Sequence, residues 1–103
     1  MTTSTMLNTN VAPTLVDNAS LEQNIPNPFN KTTTIKYSLP QKFTSAQILI
    51  SDKNGKPMKQ VNVSGSGKGI VNIDAGTLSG GAYNYSLIVD GKIISTKQML
   101  LAK

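Results

Sequence analysis

The stretch Ala82-Tyr83-Asn84-Tyr85-Ser86-Leu87-Ile88-Val89-Asp90-Gly91 carries the strongest alternation in the chain. Tyr83, Tyr85, Leu87 and Val89 take every second position, against Ala82, Asn84, Ser86 and the off-parity Ile88, which is the period of a strand with one buried face. Such a segment reads as a central strand. Asp90-Gly91 then supplies two residues that tolerate positive φ, as a tight hairpin turn requires. After it, Lys92 to Leu101 closes the chain, with Ile93, Ile94, Met99, Leu100 and Leu101 too apolar for an exposed edge.

The same period extends upstream. Ile35, Tyr37 and Leu39 alternate with Thr34, Lys36 and Ser38 and stop at Pro40; Ala46, Ile48 and Ile50 alternate with Gln47, Leu49 and Ser51. Asp52-Lys53-Asn54-Gly55 forms a second hairpin turn, and the next strand runs from Pro57 to about Val63. Its inward residues are Val61 and Val63, so Met58 has the wrong parity and marks a bulge or an edge position opened by Pro57. Gly65 to Gly69 reads as a loop, Val71 and Ile73 as a further strand halted by Ala75-Gly76, and Leu78-Ser79-Gly80-Gly81 as a turn. No segment shows a helical period. Short strands with short connections cannot shield one flat sheet from water, so the expected fold is all-β: a small immunoglobulin-like antiparallel β-sandwich of about six to seven strands. Its core should hold Phe29, Ile35, Tyr37, Leu39, Ile48, Ile50, Val61, Val71, Ile73, Leu78, Tyr83, Tyr85, Leu87 and Val89.

Composition narrows the chemistry. The chain has 103 residues, no Cys, no His and no Trp, so it lacks a neutral-pH proton shuttle, a thiolate nucleophile and the N/S ligands of zinc, haem or iron–sulfur sites. No cofactor, catalytic residue or metal ligand is expected. Charged residues make up 15% against about 25% in typical soluble domains, and ten lysines against five acids leave a formal charge of +5. The lysines are scattered, Arg is absent and few aromatics could stack on bases, so no nucleic-acid partner is expected. Asp17, Glu22, Asp52, Asp74 and Asp90 fall in the linker, at strand ends or in turns, as solvated caps. The phosphate-loop and calcium-loop echoes at Gly65 to Lys68 and Asp52 to Gly55 fail on spacing. Asn-x-Ser/Thr triplets at Asn18, Asn30, Asn62 and Asn84 are chance products of an Asn/Ser/Thr-rich chain. No window is apolar enough for a transmembrane segment, and Met1 to Asn10 has no features of a secretory signal peptide, so a fragment lacking its leader is expected.

Residues 1–20 are Thr/Asn/Ser-rich and aperiodic and read as a flexible linker, with Leu15 and Val16 able to dock locally; the folded domain is expected over residues 21–103. Asn24-Ile25-Pro26-Asn27-Pro28-Phe29-Asn30 is the least random stretch. Two prolines at alternate positions pre-set an extended lead-in, Ile25 and Phe29 can plug the end of the sandwich, and Asn27 and Asn30 can cap backbone groups.

These residues, with Leu21 to Gln23 before them and Thr34-Ile35-Lys36-Tyr37-Ser38-Leu39-Pro40 after, resemble the opening of the type A C-terminal sorting domain of the bacterial type IX secretion system. Later landmarks follow in order. Asp52 to Lys56 is similar to its Asp-x-x-Gly-Lys turn, Leu78-x-x-Gly81-x-Tyr83 to its Leu-x-x-Gly-x-Tyr element, and Lys97 to Lys103 to its Lys-bearing apolar ending. The resemblance implies a secretion signal that takes an attached N-terminal cargo domain, absent from this chain, from the periplasm through the outer membrane to the cell surface or beyond. It implies two partners, the type IX translocon and a sortase-like peptidase that cuts in the linker before Leu21. Residue by residue, the candidates for translocon recognition are Gly55, Lys56, Gly81, Tyr83, Lys97, Leu100, Leu101 and Lys103, and Pro26, Asn27, Pro28, Phe29 and Asn30 form the lead-in motif. The competing reading is an immunoglobulin-like module that binds protein or carbohydrate, the latter needing an exposed aromatic platform that inward-pointing Tyr37, Tyr83 and Tyr85 would not provide.

Overall fold

The computed structural model describes residues 19–76 and 78–103. The linker reading, including Leu15 and Val16, therefore lies outside the described residues except at its last two positions. Seven strands follow in order: β1 (Ser20–Leu21), β2 (Thr32–Leu39), β3 (Ala46–Asp52), β4 (Pro57–Asn62), β5 (Gly67–Asp74), β6 (Gly81–Val89) and β7 (Lys92–Leu101). All pairings between them are antiparallel. They build a three-stranded sheet, β1-β2-β5, facing a four-stranded sheet, β4-β3-β6-β7. This is the expected β-sandwich, with β6 between β3 and β7 as its alternation required. Among the described residues no helix is long and apolar enough to cross a membrane.

Period two becomes burial directly. Ile35, Ile48, Ile50, Ile73, Tyr85 and Leu87 are fully buried between the sheets, and Phe29, Tyr37, Leu39, Leu78, Tyr83 and Val89 join them. Each fully buried aliphatic side chain contributes about 1.5–3 kcal/mol relative to exposure, which a small domain without disulfides needs. The turns behave as their chemistry dictates. Asp90 (φ 51°) and Gly91 (φ 80°) are both left-handed, matching the twist of the β6–β7 hairpin. The Asp90 carboxylate also accepts the Thr44 and Ser45 amides at 2.7 and 2.9 Å, which fixes the crossover from β2 to β3.

Several expectations are corrected. Val61 and Val71 are only half-buried, because β4 and β5 are the outer strands of their sheets and lie at the same open side of the sandwich. Met58 is the bulged residue of the β3–β4 pairing, where the register shifts between Ile50 and Ser51, and it is exposed as its parity foretold. Strand β5 begins at Gly67 rather than after Gly69. Gly69 lies opposite Tyr37, and a Cβ there would stand 2.5 Å from the tyrosine hydroxyl, so the glycine exists to let the ring lie across β5. Strand β7 is an edge after all, with Ile93 at 66% exposure. Its apolar count misled because Met99 and Leu101 point inward while Ile93 and Leu100 point out.

Gly69→Ala is expected to force the Tyr37 ring aside at a cost of about 1–3 kcal/mol, lowering the melting temperature by several degrees while leaving the strand content in far-UV circular dichroism unchanged.

Candidate recognition surface

The sandwich has two poles. The described chain starts at one, where Ser20 pairs with Ser38 and where Ala46, Asn62, Gly67, Val89 and Lys92 also lie. The opposite pole, about 27 Å away along β6, collects the β3–β4 turn, the β5–β6 loop, the lead-in motif and the C-terminus. Segments separated by most of the sequence meet there.

The turn Asp52 to Lys56 is held from within. The Asp52 carboxylate accepts the Asn54 and Lys56 amides, each at 2.9 Å, while the Asp52 amide donates to the Lys56 carbonyl. Gly55 takes φ 88°, where a side chain would be strained, so Asp and Gly shape the turn and leave the Lys56 ammonium exposed at its tip. Across β3 and β6, Asp52 pairs with Tyr83, which brings this turn beside Gly81. Asp52, Asn54, Gly81 and Tyr83 line one small hollow of about 180 Å³.

The β5–β6 loop is closed by Tyr83. Its ring is buried and its hydroxyl donates to the Ser79 carbonyl, while Leu78 is buried beneath the loop. Gly81, at φ 149°, is exposed with open space where a Cβ would be, so backbone conformation alone demands glycine. The Lys103 ammonium closes the other side, donating at 2.7 Å to both the Gly76 and Leu78 carbonyls.

The lead-in motif binds the last strand. The Phe29 amide donates to the Leu100 carbonyl at 3.0 Å, the Ala102 amide donates to the Phe29 carbonyl at 2.8 Å, and Phe29 and Leu101 form a parallel bridge. The Asn27 side chain accepts the Leu100 amide at 2.9 Å. Phe29 itself is 2% exposed and plugs the pole as expected, beside buried Leu101. The Ile25–Pro26 and Asn27–Pro28 peptide bonds are both cis. Ile25 does not plug anything. Its amide and carbonyl both pair with Thr34, an outward position of β2, so its side chain stands in solvent.

Behind the motif lies a buried polar cluster that composition did not reveal. Asn24 is 1% exposed; its amide donates to the Tyr85 hydroxyl at 2.7 Å, and that hydroxyl donates to the Glu22 carbonyl at 2.7 Å. The Asn24 side-chain amide donates to the Pro26 carbonyl and to the Thr33 hydroxyl, each at 3.0 Å. Gln23 bridges the Asn24 side-chain oxygen and the Gln98 carbonyl on β7. Burial pushes the Tyr85 phenol above its ordinary pKa of 10, partly offset by the Asn24 amide. A lone Asn two residues ahead of a Pro gives no pattern signal, and the hydroxyl of an inward Tyr is silent about where it ends; only the fold shows them meeting.

Of the recognition candidates, Gly55, Lys56, Gly81, Leu100 and Lys103 are exposed at the pole, while Tyr83 and Leu101 are buried in it. Lys97 is not there: it pairs with Tyr85 in mid-strand, on the inner face of the β7 edge, and is half-buried. Four of the ten lysines, Lys31, Lys53, Lys56 and Lys103, stand exposed around the pole. Among the described residues no cluster of carboxylates could hold a metal ion.

Residues 24–101 match the family model described as a secretion system C-terminal sorting domain. The chain belongs to this family, the C-terminal sorting domains of type IX secretion, and is a sorting signal that acts with the type IX machinery on a secreted or cell-surface cargo. No curated protein and no solved structure matches it.

Because the folded chain holds the Tyr85 proton more tightly than the unfolded chain, the Tyr85 contribution to stability should be fully present below pH 10 and be lost as the pH rises beyond it. Tyr85→Phe should cost about 1–3 kcal/mol at neutral pH by orphaning the Asn24 amide and the Glu22 carbonyl, and should remove this part of the alkaline loss in urea titrations at rising pH.

Proposed function

We propose that the type IX machinery reads the folded pole as one composite surface and not the C-terminal residues as a linear tail. The observation that carries this is the convergence of Pro26 to Asn30, Asp52 to Lys56, Leu78 to Tyr83 and Leu100 to Lys103 at one end of the sandwich. In this reading Lys56, Leu100 and Lys103 make the contact. Gly55, Gly81, Tyr83, Leu101 and Phe29 give the surface its shape, and Lys97 protects the β7 edge as an inward-facing charge. Cargo joins at the other pole, so the translocon can hold the signal while the cargo extends away from it.

A sortase-like peptidase then cuts in the segment before Leu21, on the N-terminal side of the folded domain. Passage is from the periplasm across the outer membrane. The alternative carbohydrate-binding reading has little support: Tyr37, Tyr83 and Tyr85 are all buried, so none forms a platform for a sugar ring.

The test is export of a signal-peptide-bearing fluorescent reporter fused ahead of Met1 to Lys103, in a type IX-competent bacterium and a translocon-deficient sibling. Removing Lys97 to Lys103 is a poor variant, since it strips Met99 and Leu101 from the core. Paired Lys53→Glu and Lys56→Glu changes leave the core and the turn hydrogen bonds intact; they should lower export severalfold with an unchanged melting temperature. Full export of that variant would overturn the composite-surface reading.

A further inference from the structure

The edges of the two sheets are not treated alike. On β4, Pro57, the Met58 bulge and Lys59, which shares the inward face with Ile50, all oppose the addition of another strand. On β7 a register shift at Leu87/Ile88 and the inward-facing Lys97 do the same, and the Asn27 to Phe29 segment covers its end. The outer edge of β1 is two residues long. Strand β5 has none of these devices among the described residues: it runs eight residues in unbroken register with β2, without proline, bulge or inward charge.

The free groups on that edge follow from the pairing. The Ala75 amide donates to the Lys31 carbonyl, and in the same register Ile73, Val71 and Gly69 are the hydrogen-bonded partners of Thr33, Ile35 and Tyr37. Lys68, Ile70, Asn72 and Asp74 therefore direct their amides and carbonyls outward, and their side chains share the outer face of the sheet. Ile70 is 60% exposed there, and Val71 is half-exposed on the inner face beside the open side of the sandwich.

We propose that β5 pairs with β5 of a second copy, antiparallel about a two-fold axis at Val71, to make a continuous six-stranded sheet from two three-stranded ones. The sequence Gly67-Lys68-Gly69-Ile70-Val71-Asn72-Ile73-Asp74 is complementary to itself in that register. Lys68 meets Asp74 twice, Ile70 lies opposite Asn72 and diagonal to its own copy, and Val71 faces Val71 in the close, non-hydrogen-bonded pair. All four outward residues then exchange backbone hydrogen bonds. A shift by two in either direction leaves Lys68 opposite Asn72 or Gly76, and a shift by one sets inner against outer faces. One Asp74 oxygen already accepts the Gly76 amide at 3.0 Å, which steadies the carboxylate without consuming it. This contact is independent of the sorting role, and its readout is mass and not export.

Sedimentation velocity on Met1–Lys103 from micromolar to millimolar concentration is the experiment. A concentration-dependent dimer is expected. Lys68→Asp and Asp74→Lys should each weaken it about tenfold, since two attractive pairs become repulsive, and the combined Lys68→Asp/Asp74→Lys chain should recover it. Asn72→Pro removes an outward amide and, on the same outer face, the exposed hydrogen bond from the Thr34 hydroxyl, but no β2–β5 backbone bond, so it should give a monomer with the β-sheet circular dichroism signal retained. A monomer at every concentration overturns the proposal, as does a dimer that neither single charge reversal weakens.

Discussion

The fold depends on the fastening of its first segment to its last. Three hydrogen bonds join Asn27 and Phe29 to Leu100 and Ala102, and Phe29 fills the space between the sheets at that point. A small sandwich of this kind has open ends, and burial of its core fails wherever an end admits water. Here the lead-in motif seals one end using residues from both extremes of the domain. Asn24 supports the seal from below. An isolated Asn at 1% exposure would cost stability, but its backbone amide, its side-chain oxygen and its side-chain nitrogen all have partners, so the cluster positions the Pro26 to Asn30 segment.

Long-range closure of this kind has a consequence for the sorting role. A signal carried by the last few residues would need a tail free to be read. Leu101 and Met99 are instead part of the core, Lys103 is tied to the β5–β6 loop, and Leu100 is exposed only because β7 alternates. In the composite-surface reading proposed above, the translocon meets a set of backbone turns with lysines at their tips. That surface exists only in the folded state, so in this reading folding and recognition are one requirement and not two.

The sequence made the sandwich legible because its alternation is strong where both sheets bury one face. Ile35, Tyr37 and Leu39, or Tyr83 to Val89, admit no other reading. It was weaker where the period is interrupted: the glycines at the start of β5 hide a strand, since Gly69 is shaped by a tyrosine on another strand and not by its own neighbours. The edge position of β7 was missed for a related reason, because residue counts ignore that a bulge at Ile94 reverses which side chains point in. At the pole, the landmarks were visible one by one, and the left-handed glycines at Gly55 and Gly91 were predictable from turn chemistry. Their meeting was not, because it rests on pairings such as Phe29 with Leu101 that have no local signature. The hydrogen bonds of Asn24 and Tyr85 were illegible for the same reason.

The most direct measurement of the central claim is residue-resolved hydrogen exchange of the folded chain. The Leu100 and Ala102 amides, which donate to Asn27 and Phe29, should exchange as slowly as the central amides of β6, because opening them requires opening the pole. If instead they exchange at the rate of an unstructured peptide while β6 remains protected, the C-terminus is a free tail and the composite surface does not exist.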